Sequence, residues 1–100
     1  MKPRKIEQTN NRISIPSKLR KEMNISIDQP LEISIEYGLL CVQPFNGEKI
    51  HERPFVGIVR LLDNNGRITI PSEYLEVLDY SPNDRFEVFA QNEKIIIKKI

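Results

Sequence analysis

The sequence predicts a mainly β domain with short helices, built from two tandem β-β-α-β-β units in one chain. Three observations lead there. The stretch "TNNRISIPS" at 9–17 returns as "NNGRITIPS" at 64–72, with the arginines and the prolines both offset by 55 residues. Carried forward without a gap, that register lays 12–45 over 67–100. It pairs seven identical residues: Arg12/Arg67, Ile13/Ile68, Ile15/Ile70, Pro16/Pro71, Ser17/Ser72, Ser26/Ser81 and Glu32/Glu87. Second, apolar and polar residues alternate through 31–36 and again through 86–90, the period of a strand with one face inward. Third, each unit carries a proline directly after a short β-type run and before a short amphipathic stretch. A helix starts well there, because proline's missing N–H has no helical partner in the first turn. A repeated unit means that function is read from a duplicated architecture. One domain is expected over 1–100, with repeat one at 3–45, a connection at 46–55 and repeat two at 56–100.

In the first unit, 4–7 and 12–15 flank Gln8-Thr9-Asn10-Asn11 and read as the arms of a β-hairpin, since asparagine tolerates positive φ. Ile13 and Ile15 alternate with Arg12 and Ser14, so Arg12 points outward. Pro16 stops the strand. "SKLRKEMN" (17–24) follows as a short helix, with Leu19 and Met23 toward the core and Lys18, Arg20 and Lys21 away from it. Asn24 is its C-terminal stop. Residues 27–44 form a second hairpin. There Leu31, Ile33 and Ile35 alternate with Glu32, Ser34 and Glu36 to give one wet face. Tyr37-Gly38 turns, 39–42 returns, and Pro44 ends the strand. The polar stretch "FNGEKIHERP" (45–54) is the candidate linker.

The second unit opens with 56–62, a more hydrophobic counterpart of the first strand. Asn65-Gly66 inside "DNNGR" predicts a two-residue hairpin turn. Ile68 and Ile70 point inward, and Pro71 opens a helix that carries Leu75 and Leu78 to the core. Residues 81–84 turn. Phe86, Val88 and Ala90 then alternate with Glu87 and Phe89, "QNE" turns, and 94–100 closes the sheet.

With 100 residues, 39% hydrophobic and 29% charged, the chain has the make-up of one ordinary globular domain. A unit of about 45 residues alone is marginal, so the two units are expected to share a core. There is no apolar run near the ~20 residues that span a bilayer and no secretory leader, which leads us to expect a cytoplasmic protein without a membrane partner. Cys41 is the single cysteine and reads as a small buried hydrophobe; His51 is the single histidine and is given no role. No nucleophile–base set, phosphate loop or metal-ligand spacing is present, so neither an enzyme nor a cofactor, metal or small-molecule substrate is expected. The net charge of +1 conceals a split. Residues 1–21 carry seven basic side chains against Glu7 alone, and the remainder is net acidic. Such a split points to a polyanionic partner or, more plainly, to a solvated basic arm.

The run "GIVRLLDNNGRITIPSEYLEVLDYSPNDRFEVFAQNEKIIIKK" (57–99) resembles the AbrB-type family of bacterial transition-state regulators. The GIVR opening, the Gly-Arg turn, the Ile-Pro helix start and the closing EKIIIKK strand follow in order. Residues 5–44 resemble the family more loosely, with "RISIPSKLRKEMNI" as the nearest piece. The resemblance implies a swapped-hairpin AbrB-like β-barrel. Two copies in one chain resemble the layout of the MraZ-type branch and imply a pseudo-dimer about an approximate two-fold axis. It also implies a transcriptional regulator, of repressor or transition-state type, that binds double-stranded DNA, associates with the nucleoid and forms a homo-oligomer. Position by position, the GIVR arginine falls on Arg60 and, without a gap, on Lys5. The Gly-Arg arginine falls on Arg67 and Arg12, and the helix's basic pair falls on Arg20 and Lys21. With Lys18, these seven residues are the expected DNA contacts. In the second unit the helix positions are Leu75 and Glu76, with Glu73 nearby, so the first unit is expected to supply most of the attraction.

Structural alternatives stand beside these roles. Arg67 can brace its turn through Asp63, whereas Gln8 in the matching place leaves Arg12 without such a brace. Lys18, Arg20 and Lys21 can be a solvated helix face. A protein-interaction or oligomerisation barrel, using Tyr74 and Val77, is the other functional class. An antitoxin-like module ranks lower, because "KIIIKKI" at the end still lies inside the repeat register.

Overall fold

The computed structural model describes residues 3–7, 10–45 and 57–100. The expected connection at 46–55, with His51, lies outside the described residues. The elements are β1 (Arg12–Ser14), α1 (Ser17–Glu22), β2 (Leu31–Glu36), β3 (Leu39–Pro44), β4 (Ile58–Arg60), β5 (Arg67–Thr69), α2 (Ser72–Leu78), β6 (Phe86–Gln91) and β7 (Lys94–Lys99). The molecule is thus mainly β with two short helices. Pro16 and Pro71 sit just before their helices at ψ 139° and 138°, extended values that end the strand before the helix begins.

The strands form two antiparallel sheets. β1 pairs with β5 in a two-stranded ribbon, Ile13 facing Ile68, and the other five follow the order β4-β2-β3-β7-β6. Two ladders between the units, β1 with β5 and β3 with β7, each map onto themselves under the offset of 55. Arg12 faces Thr69 as Ser14 faces Arg67, and Leu40 faces Ile97 as Val42 faces Ile95, with Cys41 and Ile96 opposed at the centre. The turns repeat the pattern. Positive φ falls at Asn11 and Gly66, Asn24 and Asp79, Tyr37 and Asn92, Gly38 and Glu93. Ile13, Ile15, Ile68, Ile70, Leu31 and Phe86 lie in one core to which both units contribute.

Upstream of the first turn the register differs from the gap-free one. Arg4 pairs with Phe86 through two backbone hydrogen bonds of 2.9 and 2.8 Å, while Arg60 pairs with Leu31. Phe86 and Leu31 are equivalent at an offset of 55, so Arg4 and Arg60 are equivalent at 56. The extra residue is in the turn. The first turn closes where the Glu7 N–H donates to the Arg12 carbonyl, the second where the Asp63 N–H donates to the Arg67 carbonyl. Ile6 and Leu62, 2% and 4% exposed, fill matching core positions under this register. Glu7, not Gln8, therefore stands where the second unit has Asp63, and Arg4, not Lys5, stands where it has Arg60.

Three further expectations are corrected. The second turn has three residues, not two: the Gly66 N–H donates to the Asp63 carbonyl (3.0 Å) and Gly66 takes φ +76°. A type I turn followed by a left-handed residue fits this pattern. It is selected by the Asp63 carboxylate, whose Oδ1 accepts from the Asn65 and Arg67 N–H groups. β2 has no wet face at Glu32 and Ser34, which are 6% and 1% exposed. The Glu32 carboxylate accepts from Gln43 Nε2 (3.2 Å), and Ser34 Oγ donates to Glu36 Oε2 (3.2 Å), so both remain hydrogen-bonded although covered. Ala90, expected inward, is exposed near the end of β6.

Candidate nucleic-acid interface

The two turns and the two helix starts meet in crossed fashion. The Ile15 N–H donates to the Gly66 carbonyl and the Ile70 N–H to the Asn11 carbonyl, each at 2.9 Å. The end of each short strand is thereby fixed to the other unit's turn, and the helix that follows is carried to the same place. α1 lies beside the second turn: Arg20 Nε donates to the Ile15 carbonyl (3.1 Å), and its guanidinium occupies the space where a Cβ on Gly66 would sit. α2 lies beside the first turn, where Asn11 Nδ2 donates to Ser72 Oγ at 3.2 Å.

Between the turns, four charged side chains interlock. Arg67 Nε is 2.9 Å from Asp63 Oδ2 and its Nη1 is 3.1 Å from Glu7 Oε2; Arg12 Nη1 is 3.4 Å from the same Asp63 oxygen. Glu7–Arg67 and Asp63–Arg12 both join one unit to the other, so a brace accounts for Arg12 as well as Arg67. The Asp63 carboxyl is held below the usual carboxylate range, first by the Arg67 backbone N–H; desolvation opposes this, and the Asn65 N–H and the Arg67 side chain add to the lowering. Arg12 and Arg67 remain 33% and 31% exposed, so part of each guanidinium still meets solvent.

The seven candidate residues accordingly fall into two sets. Lys5, Lys18, Lys21 and Arg60 are exposed. Arg12, Arg20 and Arg67 are half-buried and hydrogen-bonded within the molecule. Arg4 was absent from the candidates, hidden by the extra turn residue; matching Ile6 to Leu62 would have revealed it. Its Nε is buried without a hydrogen-bond partner among the described residues. On the helices, the exposed Lys18 and Lys21 occupy the places of the exposed Glu73 and Glu76. Tyr74 packs against the core, whereas Val77 is 74% exposed. Cys41 is buried and its thiol is pushed up, first by desolvation and then by the Glu36 carboxylate. Among the described residues no helix is long and apolar enough to cross a membrane.

Residues 59–100 match the family model described as antidote-toxin recognition MazE, bacterial antitoxin. Two proteins of Bacillus subtilis (strain 168) are similar over part of their length. Abh, described as a transition state regulator, is 43% identical over 44 residues, which is 44% of this chain and 48% of that protein. AbrB, a transition state regulatory protein, is 44% identical over 43 residues, 43% of this chain and 45% of that protein. The chain spans just under half the length of the curated relatives it matches. Over rather less than half of its own length, then, it is similar to transition state regulators of the AbrB type and to the MazE antitoxin model.

Proposed function

We propose that the chain is a transcription regulator, not an enzyme, that binds double-stranded DNA through the crossed turns and the first helix. The observation that carries the reading is the placement of the exposed Lys18 and Lys21 on α1, which Arg20 ties to the second turn. Phosphate binding needs correctly placed cations and little else, and it supplies most of the non-specific affinity. Lys5, Arg60, Arg12 and Arg67 complete the proposed contact set, and Arg4 joins it through its equivalence to Arg60. The likeness to transition state regulators supports regulation as the purpose of binding. The two units form a swapped-hairpin barrel in the layout of the MraZ-type branch, a pseudo-dimer within one chain, and the reciprocal ladders support this. The protein works in the cytoplasm on the nucleoid, and association of chains sets several such faces on neighbouring sites.

The test is duplex binding by fluorescence anisotropy over a salt series. Affinity that falls steeply with salt is expected; affinity that is absent at low salt rejects the reading. A second reading, a protein-binding module, is favoured by the exposed Val77, next to Glu76 on α2, and by the antitoxin model matched over 59–100. It predicts that Val77→Asp abolishes partner capture while leaving duplex affinity unchanged.

A further inference from the structure

We infer that the duplex bound by each chain is non-palindromic and is held in one orientation. This rests on the DNA-binding reading above and names the class of site it takes. A reader made of two identical chains presents the same residues on both sides of its axis and so matches an inverted repeat. Here the two sides are joined in one chain and differ chemically. One side is α1 with Lys18, Arg20 and Lys21, set beside the loop Asn64, Asn65 and Gly66. The other is α2 with Glu73, Leu75 and Glu76, set beside Asn11 of the first turn. Three cations on one side thus stand opposite two anions on the other.

Geometry differs as well as charge. The first turn is one residue longer than the second. Where the guanidinium of Arg20 covers Gly66 on one side, Asn11 binds the hydroxyl of Ser72 on the other. Side chains projecting from unequal loops, over helices of opposite charge, do not reach the same base edges at the same depth. Turning the duplex end for end would bring the bases read beside the cationic helix against α2, where Leu75 and Glu76 stand in place of Arg20 and Lys21. The phosphates are the same in either direction, so it is the base edges that tell the two orientations apart. A palindrome would offer two equal half-sites to a surface able to use one of them.

The experiment is selection by the full-length chain from a random duplex pool about three helical turns long. The enriched block, whether it occurs once or in several copies, is expected to lack internal dyad symmetry. The variant E73K/E76K, altered at two exposed positions, is expected to bind the pool more tightly and to shift the block toward an inverted repeat. Dyad symmetry within the single block selected by the natural chain, or an identical block selected by both proteins, overturns the inference and leaves DNA binding standing. No enrichment above a protein-free control, at low salt, ends the DNA reading and the inference together.

Discussion

Gly57, just before β4, has no room for a side chain. A Cβ added there would lie against the Ile33 carbonyl oxygen, and Glu32 Cγ would be 3.0 Å away, so backbone as well as side chain would have to move. Gly57→Ala is therefore expected to cost about 1–3 kcal/mol, as overpacking does, read as a lower denaturant midpoint with an unchanged slope. Asp63 sets the behaviour in acid. Its carboxyl titrates below the usual range in the folded chain, so its contribution is fully present above the unfolded-state pKa and is lost as pH falls through the depressed folded value. Carboxyl-carbon NMR should place the Asp63 titration below that of a free aspartate. Asp63→Asn should remove that part of the loss of stability on the acid side. If Asp63 titrates like an exposed carboxylate, the turn is not held by it.

At the scale of elements, the two helices carry the clearest mutational contrast. Lys18 and Lys21 are exposed, so replacing both with alanine should flatten the salt slope of duplex binding by up to about 2 units, and stability should stay within about 0.5 kcal/mol. Arg20 differs because its Nε donates to the Ile15 carbonyl and its guanidinium covers Gly66. Arg20→Ala should weaken binding and also cost about 0.5–1.5 kcal/mol of folding stability. Replacing Glu73 and Glu76 with alanine should tighten binding or leave it unchanged. Equal stability losses for the lysine pair and for Arg20 would contradict this division.

The sequence disclosed the helix starts because Pro16 and Pro71 interrupt a strand where a helix can begin. It disclosed the turns at Tyr37-Gly38 and within Gln91-Asn92-Glu93 because their neighbours alternate cleanly, although Gln91 itself belongs to β6. Elsewhere it was silent for identifiable reasons. Asn65-Gly66 suits both a two-residue and a three-residue turn, and the carboxylate of Asp63, two places upstream, decides between them. The near-identical words at 9–17 and 64–72 conceal an added residue just before the match, which moved Arg4 and Glu7 out of view. Alternation through 31–36 shows which residues face the core. It says nothing about what covers Glu32 and Ser34 on the reverse side.

At the scale of the whole molecule, stability resides in contacts between the units. β1 completes its ribbon only with β5, β4 adds to the edge of β2, Arg4 pairs with Phe86, and β3 meets β7 at the Cys41–Ile96 centre. Either unit alone would expose one side of each of these ladders, and apolar surface left in water forfeits about 25 cal/mol per Å². A chain of about 50 residues has little reserve against that loss. Cys41 is a built-in reporter, since it is 2% exposed and sits in the ladder between the units. In the intact chain its thiol should react slowly with an alkylating reagent. A fragment of residues 1–50 should be unfolded or self-associated and should react quickly. Adding a fragment of residues 51–100 should restore both the circular-dichroism spectrum and the protection of Cys41. A monomeric 1–50 fragment that unfolds cooperatively with Cys41 protected would show that each unit carries its own core, and the crossed turns would then be a contact between finished domains and not the means by which either one folds.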